Sequence, residues 1–214
     1  MLTHFPDKPH TQNPCFLQEW DAKGTFLCQQ KVDGWRLIVI RDKQGKFFYY
    51  SRHNKSLATD IEEGLKAEVE SLPIPPDSQV DGEWISRRAC SVDYKLPQMI
   101  FLFDVLKWKG LWTLNKALKD RYSLVKGLFV DVHPEHVMLP LEAEPGKFVE
   151  FYEAQKKIPY SEGVVIKSVT SRIEGDRREC KKNNQWFKVK YRGSSSGDTD
   201  LAPYQADLRN KSQG

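Results

Sequence analysis

Apolar and polar positions along this chain alternate, run or cycle in patterns that predict short strands interleaved with three helices. Thr25 to Gln30 predicts a strand leading into Lys31-Val32-Asp33-Gly34-Trp35-Arg36. Leu37 to Arg41 reads Leu-Ile-Val-Ile-Arg, β-branched and apolar as a buried strand is. Asp42-Lys43-Gln44-Gly45 has hairpin-turn chemistry, and Lys46 to Tyr50 returns as the partner strand. Ile61, Leu65, Val69 and Leu72 recur at helical spacing between Asp60 and Leu72, and Pro73, Pro75 and Pro76 end that helix. Val80 to Ile85 and Met99 to Leu106 are the next strands, the second being the most apolar stretch of the chain. Leu114 to Phe129 and Gly146 to Lys157 predict two further amphipathic helices, with Val137 to Leu141 a short strand between them. Gly163 to Lys167 and Trp186 to Tyr191 are late strands, and Arg172 to Gln185 is expected to be a charged loop joining them.

The ends differ from this body. Residues 1–24 read as a polar, proline-bearing arm that Phe16, Leu17 and Trp20 can pack onto the rest. From Gly193 the composition predicts a flexible polar tail, residues 193–214, so the folded domain is expected over 25–192. The 214 residues suffice for one sizeable core, and no internal repeat divides them.

Charge and cysteine usage narrow the class only a little. The net charge of +4 is compatible with a nucleic-acid partner without requiring one. Cys15, Cys28, Cys90 and Cys180 form no Cys-x-x-Cys pair and read as reduced thiols of an intracellular protein. The five histidines form no ligand cluster, and no apolar run approaches the roughly 20 residues that span a bilayer. A monomer in the cytosol, or on nucleic acid, without a membrane partner, is the expectation.

The candidate chemistry begins at Lys31. Lys-x-Asp-Gly by itself also describes an ordinary charged turn. A lysine amine becomes a nucleophile only when neighbouring cations or desolvation free its lone pair. Attack on a phosphate further needs a cation or metal on that phosphate. Four more signals share this logic. Arg52 closes a hairpin strand, Glu83 sits in Asp81-Gly82-Glu83, and Glu162-Gly163-Val164-Val165-Ile166-Lys167 opens on an acid and ends on a lysine. Lys188 and Lys190 alternate with Phe187 and Val189, so both ammonium groups share one strand face. Taken singly, an exposed sheet face explains the two lysines and a surface carboxylate explains Glu83.

In order, these segments resemble the covalent nucleotidyltransferase superfamily: ATP-dependent DNA ligases, RNA ligases and mRNA capping enzymes. Lys31 to Arg36 is similar to its nucleophile motif, Ser51-Arg52 to the next, and Asp81-Gly82-Glu83 to a third. Phe101 to Asp104, Glu162 to Lys167 and Trp186 to Lys190 are similar to the remaining three. The resemblance covers residues 25–191 and is nearest to DNA ligases, helped by a helix-like stretch from Leu118 to Leu124. It implies an α+β fold of ATP-grasp-like character, with antiparallel sheets flanked by helices around a nucleotide pocket.

What the resemblance implies for residues follows from those positions. Lys31 would be the nucleophile for ATP, and Lys188 and Lys190 would neutralise its α-phosphate and lower the Lys31 pKa by like-charge repulsion. Arg36 and Glu83 would contact ribose, Phe103 would stack on adenine, and Gln29 would meet the base edge. Arg52 would grip a phosphate, Lys167 belongs to the nucleotide set, and Glu162 and Asp33 would hold Mg²⁺, or Mn²⁺ in its place, through waters. Arg52, Lys55, Arg177, Arg178, Lys181 and Lys182, with Arg172, form the expected nucleic-acid surface, though Glu174, Asp176 and Glu179 dilute its charge. The expected activity is sealing of nicks in duplex DNA through a lysyl-AMP intermediate. RNA ligation, GTP-dependent capping and a silent nucleic-acid-binding relative remain alternatives.

Two departures qualify the resemblance. Gln29 stands where such ligases often carry Glu. After Tyr191 only 23 residues remain, too few for the OB-fold domain that follows in DNA ligases and capping enzymes. Weak, salt-sensitive sealing would follow from that, and a viral or phage source would suit so short a chain.

Overall fold

Two sheets, rather than one, take up the predicted strands. The computed structural model describes residues 6–86, 96–175 and 181–191. In chain order the strands are β1 (Lys8–Thr11), β2 (Phe26–Val32), β3 (Trp35–Arg41), β4 (Phe47–Ser51) and β5 (Ser78–Ile85). They continue with β6 (Met99–Trp108), β7 (Leu111–Trp112), β8 (Val137–Met138), β9 (Ser161–Ser168) and β10 (Lys182–Lys190). The helices are α1 (Leu17–Ala22), α2 (Glu63–Ser71), α3 (Leu118–Gly127) and α4 (Phe148–Gln155). The first sheet has the order β1-β10-β9-β2 and the second β4-β3-β5-β6-β7, with β8 added parallel to β6. Apart from β8 and from β1, which runs parallel to β10, every pairing is antiparallel.

Each sheet buries one face under helices. Cys28, Val164, Ile166 and Val189 of the first sheet pack with Trp20 of α1 and Tyr152 of α4. Leu37, Val80, Ile100 and Leu102 of the second pack with Val69 of α2 and Val125 of α3. At about 25 cal/mol per Å² of apolar surface buried, these two cores supply the main driving force for folding. The other two faces look at each other, and the cleft between them carries polar residues.

Several predicted boundaries change for physical reasons. The helix expected over 114–129 starts only at Leu118, because Leu118 and Lys119 donate their backbone N–H groups to Ser171 and Val169. The charged loop expected over 172–185 ends early, since β10 begins at Lys182 and pairs there with Lys8 of β1. Asn183 is buried and donates to Asp7 and to the Arg172 carbonyl, each at 2.7 Å. No apolar alternation marks this stretch; its partner is supplied by the N-terminal segment. That segment contributes β1 and α1, with Leu17 and Trp20 buried and Phe16 exposed.

The strand expected over 137–141 pairs with β6 only at Val137–Met138. The chain then crosses to the other sheet, where Leu141 accepts from Gln30 N–H and Ala143 donates to the Cys28 carbonyl. Residues 137–143 therefore strap the two sheets together beside Gln29. Among the described residues, no helix is long and apolar enough to cross a membrane. The expected tail from Gly193 lies outside the described residues, as do Arg177, Arg178, Cys90 and Cys180.

Candidate active site

The hexapeptide around Lys31 is the crossover between the sheets. Lys31 is the last residue but one of β2 in the first, Arg36 the second residue of β3 in the second, and Asp33-Gly34 connects them. A Cβ on Gly34 would lie 2.7 Å from the Trp84 carbonyl oxygen and 2.9 Å from Glu83 Cγ, so only glycine lets the chain pass so close over β5. Lys31 and Arg36 consequently stand on opposite walls of the cleft.

On the first wall, pairing sets a row of side chains. Lys31, Gly163 and Lys190 are in register across β2, β9 and β10, as are Gln29, Val165 and Lys188 one step along the same face. The shared face expected for Lys188 and Lys190 is thus the cleft face. Between Lys31 and Val32 the register of β9 slips by one residue, which makes Glu162 the extra residue of a β-bulge. A bulge re-aims a side chain, and here it turns Glu162 in between two ammonium groups. Lys31 Nζ donates to Glu162 Oε1, and Lys190 Nζ donates to Oε2 at 2.8 Å. Gly163, at φ +146°, permits this, because a Cβ there would lie 2.0 Å from the Val189 carbonyl oxygen. Burial pushes the Glu162 carboxyl up, but the two ammonium groups outweigh it and hold the group below the usual carboxylate range. The like-charge contact expected between Lys190 and Lys31 is therefore bridged by an anion.

The second wall brings Arg36, Glu83, Phe103 and Asp81 together. Arg36 forks onto Asp81, with Nε donating to Oδ1 at 2.5 Å and Nη2 to Oδ2. Phe103 is itself a bulge residue, the extra one between the Asp81–Asp104 and Gly82–Leu102 pairs. Its ring centre lies 4.9 Å from the Arg36 guanidinium and 4.7 Å from Lys167 Nζ, which also sits 4.9 Å from the Trp186 ring. Burial raises the Glu83 carboxyl to about 7 against the pull of Lys31 and Arg36. Burial likewise lowers the Lys167 ammonium to about 8, with Asp104 opposing. Asp81 is raised by burial, partly offset by Arg36.

Not every candidate reaches this cleft. Lys181 and Lys182 are exposed at the start of β10. At about 3.3 Å per residue they stand about 26 Å along the strand from Lys190, so β-pairing with β1 has carried them away from Lys31. Arg52 and Lys55 lie exposed in the turn after β4, whose last residue, Ser51, pairs with Leu37 next to Arg36. Arg52 Nε donates there to His53 Nε2 at 3.0 Å.

Residues that the sequence reasoning passed over hold the site from behind. Arg121 of α3 is buried and forks onto Asp104 at 2.7 and 3.0 Å, while donating to the Lys116 and Ser171 carbonyls. Tyr122 and Glu142 are the others. The only advance signal for Arg121 and Tyr122 was the helical stretch from Leu118 to Leu124.

A nucleoside triphosphate fits these groups. Gln29 is buried on the cleft face and its amide is not fully satisfied within the protein, since Nε2 has no hydrogen-bond partner. Lys31, Lys188 and Lys190 line one face of the cleft, three cations on the wall that carries Gln29. Among the described residues no three His, Cys, Asp or Glu side chains gather as a metal cage. Mg²⁺ keeps several waters and takes one or two carboxylates, and Glu162 presents one carboxylate inside the cleft.

Comparison with known proteins places this geometry. The sequence profile of the family described as RNA ligase matches residues 24–190. No curated protein matches the sequence. Mycobacterial DNA ligase D complexed with ATP and MES aligns with TM-score 0.65 at 18% identity, over 89% of this chain and 61% of that one. The ligase domain of M. tuberculosis LigD aligns with TM-score 0.66 at 20% identity, over 87% and 60%. The ATP-dependent DNA ligase from bacteriophage T7 in complex with ATP gives 0.56 at 13% identity, over 88% and 69%. The chain thus spans about three fifths of the length of the first two, at 61% and 60%. At these identities the likeness establishes the fold, an α+β nucleotidyltransferase arrangement with antiparallel sheets.

Proposed function

The chain belongs to the RNA ligase family of covalent nucleotidyltransferases, and from that premise we propose that it is an ATP-dependent polynucleotide ligase acting on nicked duplex DNA. The observation that carries the proposal is the Glu162 carboxylate shared by Lys31 and Lys190 at the mouth of a cation-lined cleft. In the first step the Lys31 ammonium releases a proton to solvent, the freed lone pair forms a bond to the α-phosphorus of ATP as the bond to pyrophosphate breaks, and a second N–H proton passes to solvent to leave the neutral phosphoramidate nitrogen. Lys190 and Lys188 face the phosphate and counter its charge as the leaving group departs. Bound Mg²⁺, held through water by Glu162 and Asp33, would supply further neutralisation of the triphosphate.

Gln29 and Phe103 serve the base, Arg36 and Glu83 the ribose, and Lys167 the floor of the nucleotide site. In the second step an oxygen of a 5′-phosphate end attacks the adenylyl phosphorus and the Lys31 N–P bond breaks. In the third a 3′-hydroxyl attacks the activated 5′-phosphate and AMP leaves. Arg52, exposed near the Arg36 end of the second sheet, is the side chain assigned to the 5′-phosphate. In this reading the adenylylating domain expected over residues 25–192 also takes in β1 and α1, which complete its first sheet and core.

The family profile favours a second substrate, RNA ends, served by the same lysine chemistry. Incubation with ATP and Mg²⁺ followed by mass spectrometry is expected to show one AMP on the wild type and none on Lys31→Ala. An adduct on that variant would remove Lys31 as nucleophile, and none on the wild type would remove the function. A sealing panel of nicked DNA, nicked RNA–DNA hybrid and single-stranded RNA decides between substrates; activity on RNA ends alone would displace DNA.

A further inference from the structure

Behind Gln29 stands a relay of polar side chains that the ligation steps do not use. Gln29 forms a β-bridge with Glu142 of the strap, and its amide lies against the hydroxyl of Tyr122 without completing a hydrogen bond from Nε2. Tyr122 comes from α3, is buried, and donates its hydroxyl proton to Glu142 Oε1. Lys126, one turn further along α3, sits 3.3 Å from Glu142 Oε1 and 4.7 Å from the Tyr122 ring, which holds the carboxylate in place. Burial, then the Glu142 hydrogen bond and charge, push the Tyr122 phenol far above its ordinary range, so it keeps that proton.

The direction of the proton has a consequence for Gln29. A phenol has one proton to give. With that proton directed at Glu142, the Tyr122 oxygen has only acceptor capacity left, and the amide edge that satisfies it is the NH₂ edge. The carbonyl edge of Gln29 is then left for the cleft. We propose that Tyr122 and Glu142 are positioning residues that hold Gln29 Oε1 toward the nucleotide base and thereby select a 6-amino purine over a 6-oxo purine. The inference rests on the ligase reading of the same site and names what sets its nucleotide choice. Adenine offers an amino donor where guanine offers a carbonyl oxygen, and an acceptor facing an acceptor is left unpaired in a buried place. A carboxylate at position 29 would need no such support, because both its oxygens accept. An amide can turn over and exchange its edges, so Gln29 depends on what stands behind it.

The test is the ratio of ATP to GTP in lysyl-nucleotide formation, with KM and the maximal rate separated and with thermal melts as a folding control. Tyr122→Phe keeps the ring in the core and removes the hydroxyl. It is expected to lower the ATP:GTP preference at least about tenfold, mainly through KM. Glu142→Ala frees the Tyr122 proton to turn toward Gln29, which favours the flipped amide and moves the preference further toward GTP. Adding Gln29→Glu to Tyr122→Phe is expected to restore the preference for ATP. Should Tyr122→Phe fail to fold, Glu142→Ala, on a partly exposed side chain, carries the measurement alone. An unchanged ratio in a folded variant, or equal losses with both nucleotides, overturns the inference while leaving the ligase reading intact. A wild type labelled by neither nucleotide overturns the ligase reading itself, and the inference with it.

Discussion

Two of the carboxylate–cation systems in this cleft and its backing are built oppositely. In the Asp104–Arg121 pair both side chains are sealed from water, at 1% and 0% exposure. Asp104 Oδ1 also accepts from Val105 N–H, and Arg121 donates onward to two backbone carbonyls. Nothing in that pair is left for a ligand. In the Lys31–Glu162–Lys190 system one carboxylate serves two ammonium groups, and the side chains keep 19%, 13% and 16% exposure. A closed pair is costly to break because the charge left behind stays buried without its ion-pair partner. A shared, partly hydrated one can exchange a carboxylate for a phosphate at little cost. The first therefore reads as a fastener between α3 and β6, the second as a site.

Breaking the closed pair should give the largest effect. Arg121→Ala leaves Asp104 buried and unpaired and is expected to cost about 3–5 kcal/mol, a large part of the roughly 5–15 kcal/mol of a typical domain. Denaturant melts would measure it. Replacing both partners, Arg121→Met with Asp104→Leu, should recover most of the loss; failure to recover would mean the pair does more than fasten.

Glu162→Gln should behave in the reverse way. Stability is expected to change by less than about 2 kcal/mol, while the rate of lysyl-AMP formation falls about 100-fold. A variant that unfolds instead would place this system with the closed pair.

A smaller effect should come from Glu83, on the opposite wall. Its carboxyl is raised from 4.5 to about 7 by burial, so the folded chain holds a proton that the unfolded chain has released. The stability this contributes is full below the unfolded value and is lost as pH rises through about 7. Relative to wild type, Glu83→Gln is expected to flatten the decline in melting temperature across that window. Parallel pH profiles for the two proteins would show Glu83 ionised throughout.

Much of this contrast could be read in advance from local pattern. The period-2 alternation at Lys188 and Lys190 foretold one shared face, and β9–β10 pairing put that face in the cleft. Lys31 and Arg36 were legible as a pair of cations around a tight glycine. Their placement on opposite walls was not, since nothing local says that β2 and β3 join different sheets. Glu162 and Phe103 reach the cleft through bulges, and a bulge depends on how neighbouring strands slip. Asp7 and Asn183 meet across 176 positions, so the strand at Lys182 had no signal of its own.

By itself, the sequence determined the elements, because strand and helix periods depend on neighbours a few residues away. It also determined the chemical inventory of the cleft: a lysine after a strand, carboxylates beside glycines, and paired basic residues on one strand face. Only the tertiary structure decided which carboxylate would stand between which cations. Ion pairing and burial depend on distances between separate elements, which can lie far apart in the chain, as the separation of 131 between Lys31 and Glu162 illustrates. Tertiary structure also decided that Arg121 fastens and Lys31 stays open, because exposure to water belongs to the packed molecule and not to any stretch of chain.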